Sequence, residues 1–183
     1  MAKKIAVLLA EGFEESEAIV PMDIAIRAGI EIIKVSVSGK TEVNGAHNIC
    51  VKTDKGLAEA DFDAVDMIML PGGMPGTVNL ETSDEVKAIV LEANKKGKKI
   101  AAICAAPRML GDWGLLEGKR ATVYPGNEGH LKGAIHDPDA KAVTDGNIIT
   151  ARGMGCAVEF GSEIVTALSD AGTARKVLDS IQY

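Results

Sequence analysis

Reactive chemistry is concentrated at three places in this sequence: the thiol of Cys104, the carboxyls of Glu14, Glu15 and Glu17, and the turn Pro71-Gly72-Gly73. Cys104 closes an apolar run, Ile100-Ala101-Ala102-Ile103, which is entered through lysines and reads as a buried strand. Small residues follow, then Pro107, Arg108, Met109 and Leu110, the pattern of a helix opening with proline in its first turn. A thiol on such a turn faces the free N–H groups of the next helix. The sequence therefore predicts a Cys104 that ionises more readily than a free cysteine. Hydrolases hold a nucleophilic serine in the same strand–turn–helix setting. The competing reading is a buried, inert cysteine, the commoner fate of a free thiol.

The three glutamates open a helix, where the dipole favours them, and solvated charge accounts for most of the three. Glu17 is the exception, because Ala18 and Pro21 mark its side of the helix as buried. A carboxyl buried beside Cys104 holds its proton to higher pH, donates a hydrogen bond to a thiolate and can shuttle a proton. On this reading Glu17→Gln raises the Cys104 pKa or cripples proton transfer. Backbone N–H groups of the glycine turn, Gly73 included, pair with that of Ala105 as an oxyanion hole for a carbonyl attacked by sulfur. A turn that only lets a strand reach its helix would have the same glycines. None of the histidines, His47, His130 and His136, falls at a strand end. Cys50 reads as strand packing, and Cys156 as a residue near a helix start.

The elements that must position these groups alternate. Strands are predicted over Lys4–Ala10, Ile30–Ser36, Asp66–Leu70 and the run ending at Ile103; a shorter one covers Ala121–Val123. Glu14–Ala28 is helical in period, with Pro21 kinking it or starting a new segment. Ser83–Lys95 is a helix capped by Ser83, and the helix after Cys104 runs to about Leu116. Glu42–Thr53 reads as a small side hairpin, Lys55–Asp63 as a polar connection, and Tyr124–Ala140 as a long functional loop. Ala142–Ala151 is a hairpin about Asp145-Gly146-Asn147, and two helices end the chain. This alternation implies a mainly parallel sheet covered on both faces, with its crevice beyond the carboxyl ends of the strands. The glutamates, the glycine turn and Cys104 all fall at such ends.

Composition narrows the function classes. The chain has 183 residues, 46% hydrophobic and 25% charged, which fits one domain over residues 1–183. A net charge of −6, no basic run and only 3% aromatics argue against nucleic-acid binding. The opening apolar run stops at Glu11, too soon for a signal peptide, and no stretch approaches a membrane span. Three widely spaced cysteines without a CxxC pair argue against a disulfide scaffold or a zinc site and for a reducing cytoplasm.

In order along the chain, Gly12-Phe13-Glu14-Glu15-Ser16-Glu17, Arg27-Ala28-Gly29-Ile30, Leu70-Pro71-Gly72-Gly73, Ala102-Ile103-Cys104-Ala105-Ala106-Pro107, Thr150-Ala151-Arg152-Gly153 and Glu159-Phe160 resemble the ThiJ/PfpI superfamily. Within it they resemble the branch of the parkinsonism-associated, glyoxalase III-like deglycase. The resemblance implies an α/β, flavodoxin-like three-layer sandwich of the class I glutamine amidotransferase-like type, usually a homodimer. It also implies that Cys104 is the reactive thiol and Glu17 its partner, with Gly73 and Ala105 giving N–H groups. Gly72, Tyr124, Arg27, His47 and Arg152 are possible pocket residues, Arg27 and His47 from across a subunit boundary.

Two family histidines are missing: Tyr124 stands where the deglycase branch has one, and Ala105 where the peptidase branch has one. That counts against peptidase activity and leaves a Glu17–Cys104 dyad, unless His130 or His136 swings in. No metal, nucleotide or other cofactor is required. The expected partner is a small reactive carbonyl, such as the 2-oxoaldehyde methylglyoxal, or a glycated amino group. The rival reading is an oxidative-stress sensor or chaperone with an oxidisable cysteine; a cysteine peptidase or amidase is a remote one.

Overall fold

The structure is a computed structural model describing residues 2–183. In chain order its elements are β1 (Lys4–Leu9), α1 (Glu15–Arg27), β2 (Glu31–Ser36), β3 (Glu42–Asn44), β4 (Cys50–Lys52), β5 (Lys55–Gly56) and β6 (Met67–Leu70). Then come α2 (Gly76–Glu81), α3 (Asp84–Lys95), β7 (Lys99–Ile103), α4 (Pro107–Asp112), β8 (Arg120–Ala121) and β9 (Ile135–His136). The chain closes with β10 (Ala142–Asp145), β11 (Ile148–Ala151), α5 (Ala157–Leu168) and α6 (Ala171–Ser180).

Seven strands form one sheet in the order β10-β11-β7-β6-β1-β2-β5, parallel except for the edge pair β10–β11. The central strands are aliphatic on both sides because both faces are covered. Val7 and Leu9 of β1 pack with Ala18 and Met22 of α1 and Phe160 of α5. Their neighbours Ala6 and Leu8 face the opposite way, into Val86 and Val90 of α3 and Met109 of α4. This alternation produces an α/β, flavodoxin-like three-layer arrangement. Helices α1 and α5 cross closely because Gly161 has no side chain: a Cβ there would lie 2.8 Å from Ile24 Cδ1.

The chain leaves β1 to one side, to β2, and returns to its other side as β6. The β1–β6 boundary is therefore where the winding reverses, and a crevice opens beyond the carboxyl ends of those strands.

Several local expectations are corrected. Helix α1 continues unbroken through Pro21. The helix after Cys104 ends at Asp112, because Gly114 takes φ +76° and the Leu115 N–H bonds back to the Leu110 carbonyl, closing the turn. The polar connection begins with β5, which adds an edge strand beside β2. A short helix, α2, fills the stretch after the glycine turn. The long loop contains β9, paired to β8. Cys50 is exposed rather than packed, whereas Cys156 is buried at the start of α5. Ser83 does cap α3, accepting the Val86 N–H. Among the described residues no helix is long and apolar enough to cross a membrane.

Candidate active site

Cys104 follows β7 directly and has φ +65°, a left-handed conformation unusual for a side chain with a Cβ. Two hydrogen bonds impose it. The Cys104 N–H donates to the Ala151 carbonyl at the end of β11 (2.9 Å), and the Cys104 carbonyl accepts the Tyr124 N–H (2.8 Å). The strained backbone turns the thiol out of the strand and into the crevice.

Glu17 enters from the first turns of α1 and is 1% exposed. Its Oε2 accepts the Gly72 N–H (3.0 Å), and the Cys104 thiol and the Met154 backbone lie near enough to favour its charged form. Gly72 makes room for this meeting: a Cβ there would lie 2.5 Å from Glu17 Oε2 and 2.6 Å from Cys104 Cβ. Burial raises the Glu17 carboxyl to about 7, against the hydrogen bonds it accepts.

The thiol moves opposite to the expectation. Burial first, then the Glu17 charge and the hydrogen bond to that carboxyl, push Cys104 up to about 12, while the N–H groups of Ala105 and Gly73 pull weakly the other way. The helix assumed to ease ionisation is only six residues long, so its dipole is small beside the cost of burial. Two of the three raising causes exist only while Glu17 is charged. Thiolate is therefore favoured only when Glu17 takes the proton, and above pH of about 7 the pair holds one proton between sulfur and carboxyl. The expected sign for Glu17→Gln is reversed as well: losing the charge lowers the thiol pKa.

A cavity of about 490 Å³ opens over Cys104, with Glu17, Gly73 and Ala105 at its base. Tyr124, Pro125, Gly126 and Asn127 line it from the long loop, and Met74 and Met154 add apolar wall. Met154 and Met74 were not singled out in the sequence; each directly follows a quoted motif, which was the available signal. His47 reaches the cavity from the β3–β4 hairpin of the same chain, so no subunit boundary is needed to bring it there.

Within their own chain Arg27 and Arg152 do not line the cavity. Arg27 stands at the far end of α1, paired with Asp23 (2.6 Å), and Arg152 donates to the Pro138 carbonyl (3.0 Å). Neither loop histidine replaces a missing one: His130 pairs with Asp112 (2.7 Å), and His136 lies in β9 outside the lining.

Glu15 corrects the view that most of the helix-opening glutamates are solvated. It is 4% exposed and accepts the His47 N–H (2.7 Å), the His47 ring Nδ1 (2.9 Å) and the Ile49 N–H (3.4 Å). Burial works to raise its carboxyl, but these bonds win and hold it below the usual range. One ligand atom each from Glu14, Glu15 and His47 lies within 4.8 Å of the others, a spacing open to a cation, yet the Glu15 oxygens are already occupied by protein donors.

The profile of the DJ-1/PfpI family matches residues 3–167. The zebrafish (Danio rerio) Parkinson disease protein 7 homolog is 35% identical over 178 residues, covering 96% of this chain and 94% of that protein. Protein DJ-1 homolog B of Arabidopsis thaliana is 36% identical over 167 residues; the match covers 91% of this chain but only 38% of that longer protein. The crystal structure of Drosophila melanogaster DJ-1beta superposes with a TM-score of 0.94 at 34% identity, covering 100% of this chain and 98% of that one.

Proposed function

This chain belongs to the DJ-1/PfpI family, and from that premise we propose that it is a cofactor-independent glyoxalase or deglycase acting on 2-oxoaldehydes such as methylglyoxal, or on their adducts with amino groups. The observation that carries the reading is the contact of the Cys104 thiol with a buried carboxyl whose pKa is raised to about 7, at the base of an open cavity. A carboxyl poised near neutrality is suited to move protons in both directions.

In this mechanism Glu17 takes the thiol proton as sulfur attacks the aldehyde carbon, then passes it to the new oxygen, giving a hemithioacetal. The N–H groups of Gly73 and Ala105 stabilise negative charge building beside the sulfur. Glu17 next removes the proton on C1 to leave an enediolate, the C1 hydroxyl proton passes to the C2 oxygen, and the same carboxyl returns its proton to C2, which leaves the C1 carbonyl of a thioester. Water hydrolyses the resulting thioester to a 2-hydroxy acid and frees the thiol. The deglycase version begins from the aminocarbinol adduct of a glycated amino group. No step of this mechanism is assigned to a metal or a nucleotide.

The second reading is a redox sensor or chaperone, favoured by one observation: Cys104 is only partly buried, in a cavity open to peroxide. Oxidation there would give a sulfenic or sulfinic acid held by Glu17. Peptidase activity has less support, since Ala105 follows the thiol and no histidine adjoins it in sequence.

The deciding experiment incubates purified protein and its Cys104→Ala variant with methylglyoxal and measures lactate. Lactate from the wild type alone is expected. No lactate, with clean peroxide addition at Cys104 by mass spectrometry, would replace the enzyme by the sensor.

A further inference from the structure

We infer that His47, fixed by Glu15, is a second acid–base group of this site, giving a proton to the substrate's ketone oxygen as the enediol forms. The inference rests on the methylglyoxal reading above.

The geometry is that of an oriented imidazole. The His47 side chain is 68% exposed, yet its main-chain N–H and its Nδ1 are both held by one carboxylate that is itself only 5% exposed. A carboxylate on Nδ1 fixes the tautomer and commits that nitrogen, which leaves Nε2 for whatever enters the cavity. The same relation of buried carboxylate to histidine positions the base in hydrolytic triads. Here it is built between α1 and the β3–β4 hairpin, and His47 lines the cavity that holds Cys104 and Glu17.

The charged groups facing His47 are Glu15 of α1 and Glu14 just before that helix, the latter at 3.6 Å; the cavity is also lined by Glu17, Cys104 and Tyr124. The hydrogen bond to Glu15, then the charges of Glu14 and Glu15, favour the imidazolium. No lysine or arginine is among the residues lining the cavity, so His47 is its cationic proton donor.

The protons balance. Glu17 removes the C1 proton, the C1–C2 double bond forms, and Nε2 gives its proton to the C2 oxygen. Glu17 then protonates C2, the C1 hydroxyl returns its proton to Nε2, and the C1 carbonyl of the thioester forms. Both groups end as they began.

The test measures kcat, KM and their pH dependence for lactate formation in wild type, His47→Gln and Glu15→Gln. The wild-type rate should rise near pH 7 with ionisation of Glu17 and fall at higher pH as His47 loses its proton. His47→Gln, a change on an exposed side chain, should lower kcat by about 100-fold, leave KM unchanged and abolish the alkaline fall. Glu15→Gln should move that fall to lower pH. An active wild type whose His47→Gln variant keeps the same kcat or the same alkaline limb overturns the inference and leaves the glyoxalase reading standing. A wild type that makes no lactate overturns both.

Discussion

The Gly72 amide donates to Glu17 Oε2 at 3.0 Å, across 55 residues of chain, inside a buried site. This bond ties the opening turns of α1 to the turn after β6 and so fixes where the carboxyl meets the sulfur. It leaves Glu17 with too few donors to ionise at its ordinary pKa, because burial outweighs them and raises it to about 7.

The raised pKa makes Glu17 a pH-dependent burden on stability. The folded protein keeps the proton between pH 4.5 and about 7, where the unfolded chain has lost it, so stability from this group falls as pH rises through that window. Glu17→Gln keeps an acceptor for Gly72 and removes the buried charge. At pH near 4.5 it should be almost neutral; above pH 7 it should stabilise by about 3 kcal/mol, from roughly 1.4 kcal/mol per pKa unit. For a chain of this size that is a rise in melting temperature of roughly 6–12 °C. Parallel melts of wild type and variant across this range check it; a gain that is constant with pH would place the cost elsewhere.

Gly72→Ala should damage the site more than the fold. The added Cβ overlaps both Glu17 Oε2 and Cys104 Cβ, and neither the backbone of the elbow nor the packed carboxyl can withdraw freely. Overpacking of this kind costs about 1–3 kcal/mol. Lactate formation should fall by about 100-fold or more through misplacement of the reacting groups, with the protein still folded by circular dichroism. Full activity in this variant would mean that the close approach has no catalytic use.

Glu15→Ala should loosen one hairpin. Removing the carboxyl leaves the His47 and Ile49 N–H groups without their acceptor, a loss of about 1–3 kcal/mol where burial keeps water away. Hydrogen exchange should quicken over residues 42–52, while amides of β1, β6 and β7 keep their protection. Uniform loosening of the whole sheet would show that the bond supports the core rather than the hairpin.

The main sheet was legible because its strands are short aliphatic runs between helices of clear period, and the reactive groups of β1, β6 and β7 fall at their ends. Edge elements were not: Lys55-Gly56 pairs with β2 at a position whose composition is that of a turn. The meeting of Glu17 and Cys104 was inferred from burial of one helix face. The second acid, Glu15, was missed because a carboxylate looks the same in sequence whether it faces water or an N–H from a hairpin thirty-odd residues away. Only the family resemblance points His47 to the pocket, since nothing local says which way a hairpin folds. The sign of the thiol shift is hidden for a related reason: a motif shows the helix that follows, but not its length or the depth of burial.

That sign supports the last prediction. In the wild type, burial, the Glu17 charge and the Glu17 hydrogen bond all push the Cys104 thiol up, to about 12. Glu17→Gln removes the charge and its hydrogen bond to the sulfur as a carboxylate, while the Ala105 and Gly73 N–H groups still favour the thiolate. The thiol pKa should fall, and each unit is about a tenfold gain in thiolate at pH near 8. Iodoacetamide should therefore label Cys104 in the variant about tenfold or more faster than in the wild type. Lactate formation should move the opposite way, because the variant has no carboxyl to carry protons between sulfur, oxygen and carbon. A labelling rate that does not change would remove the Glu17 charge from control of the thiol. A slower rate would mean that protonated Glu17, as a donor to sulfur, sets the reactivity of Cys104.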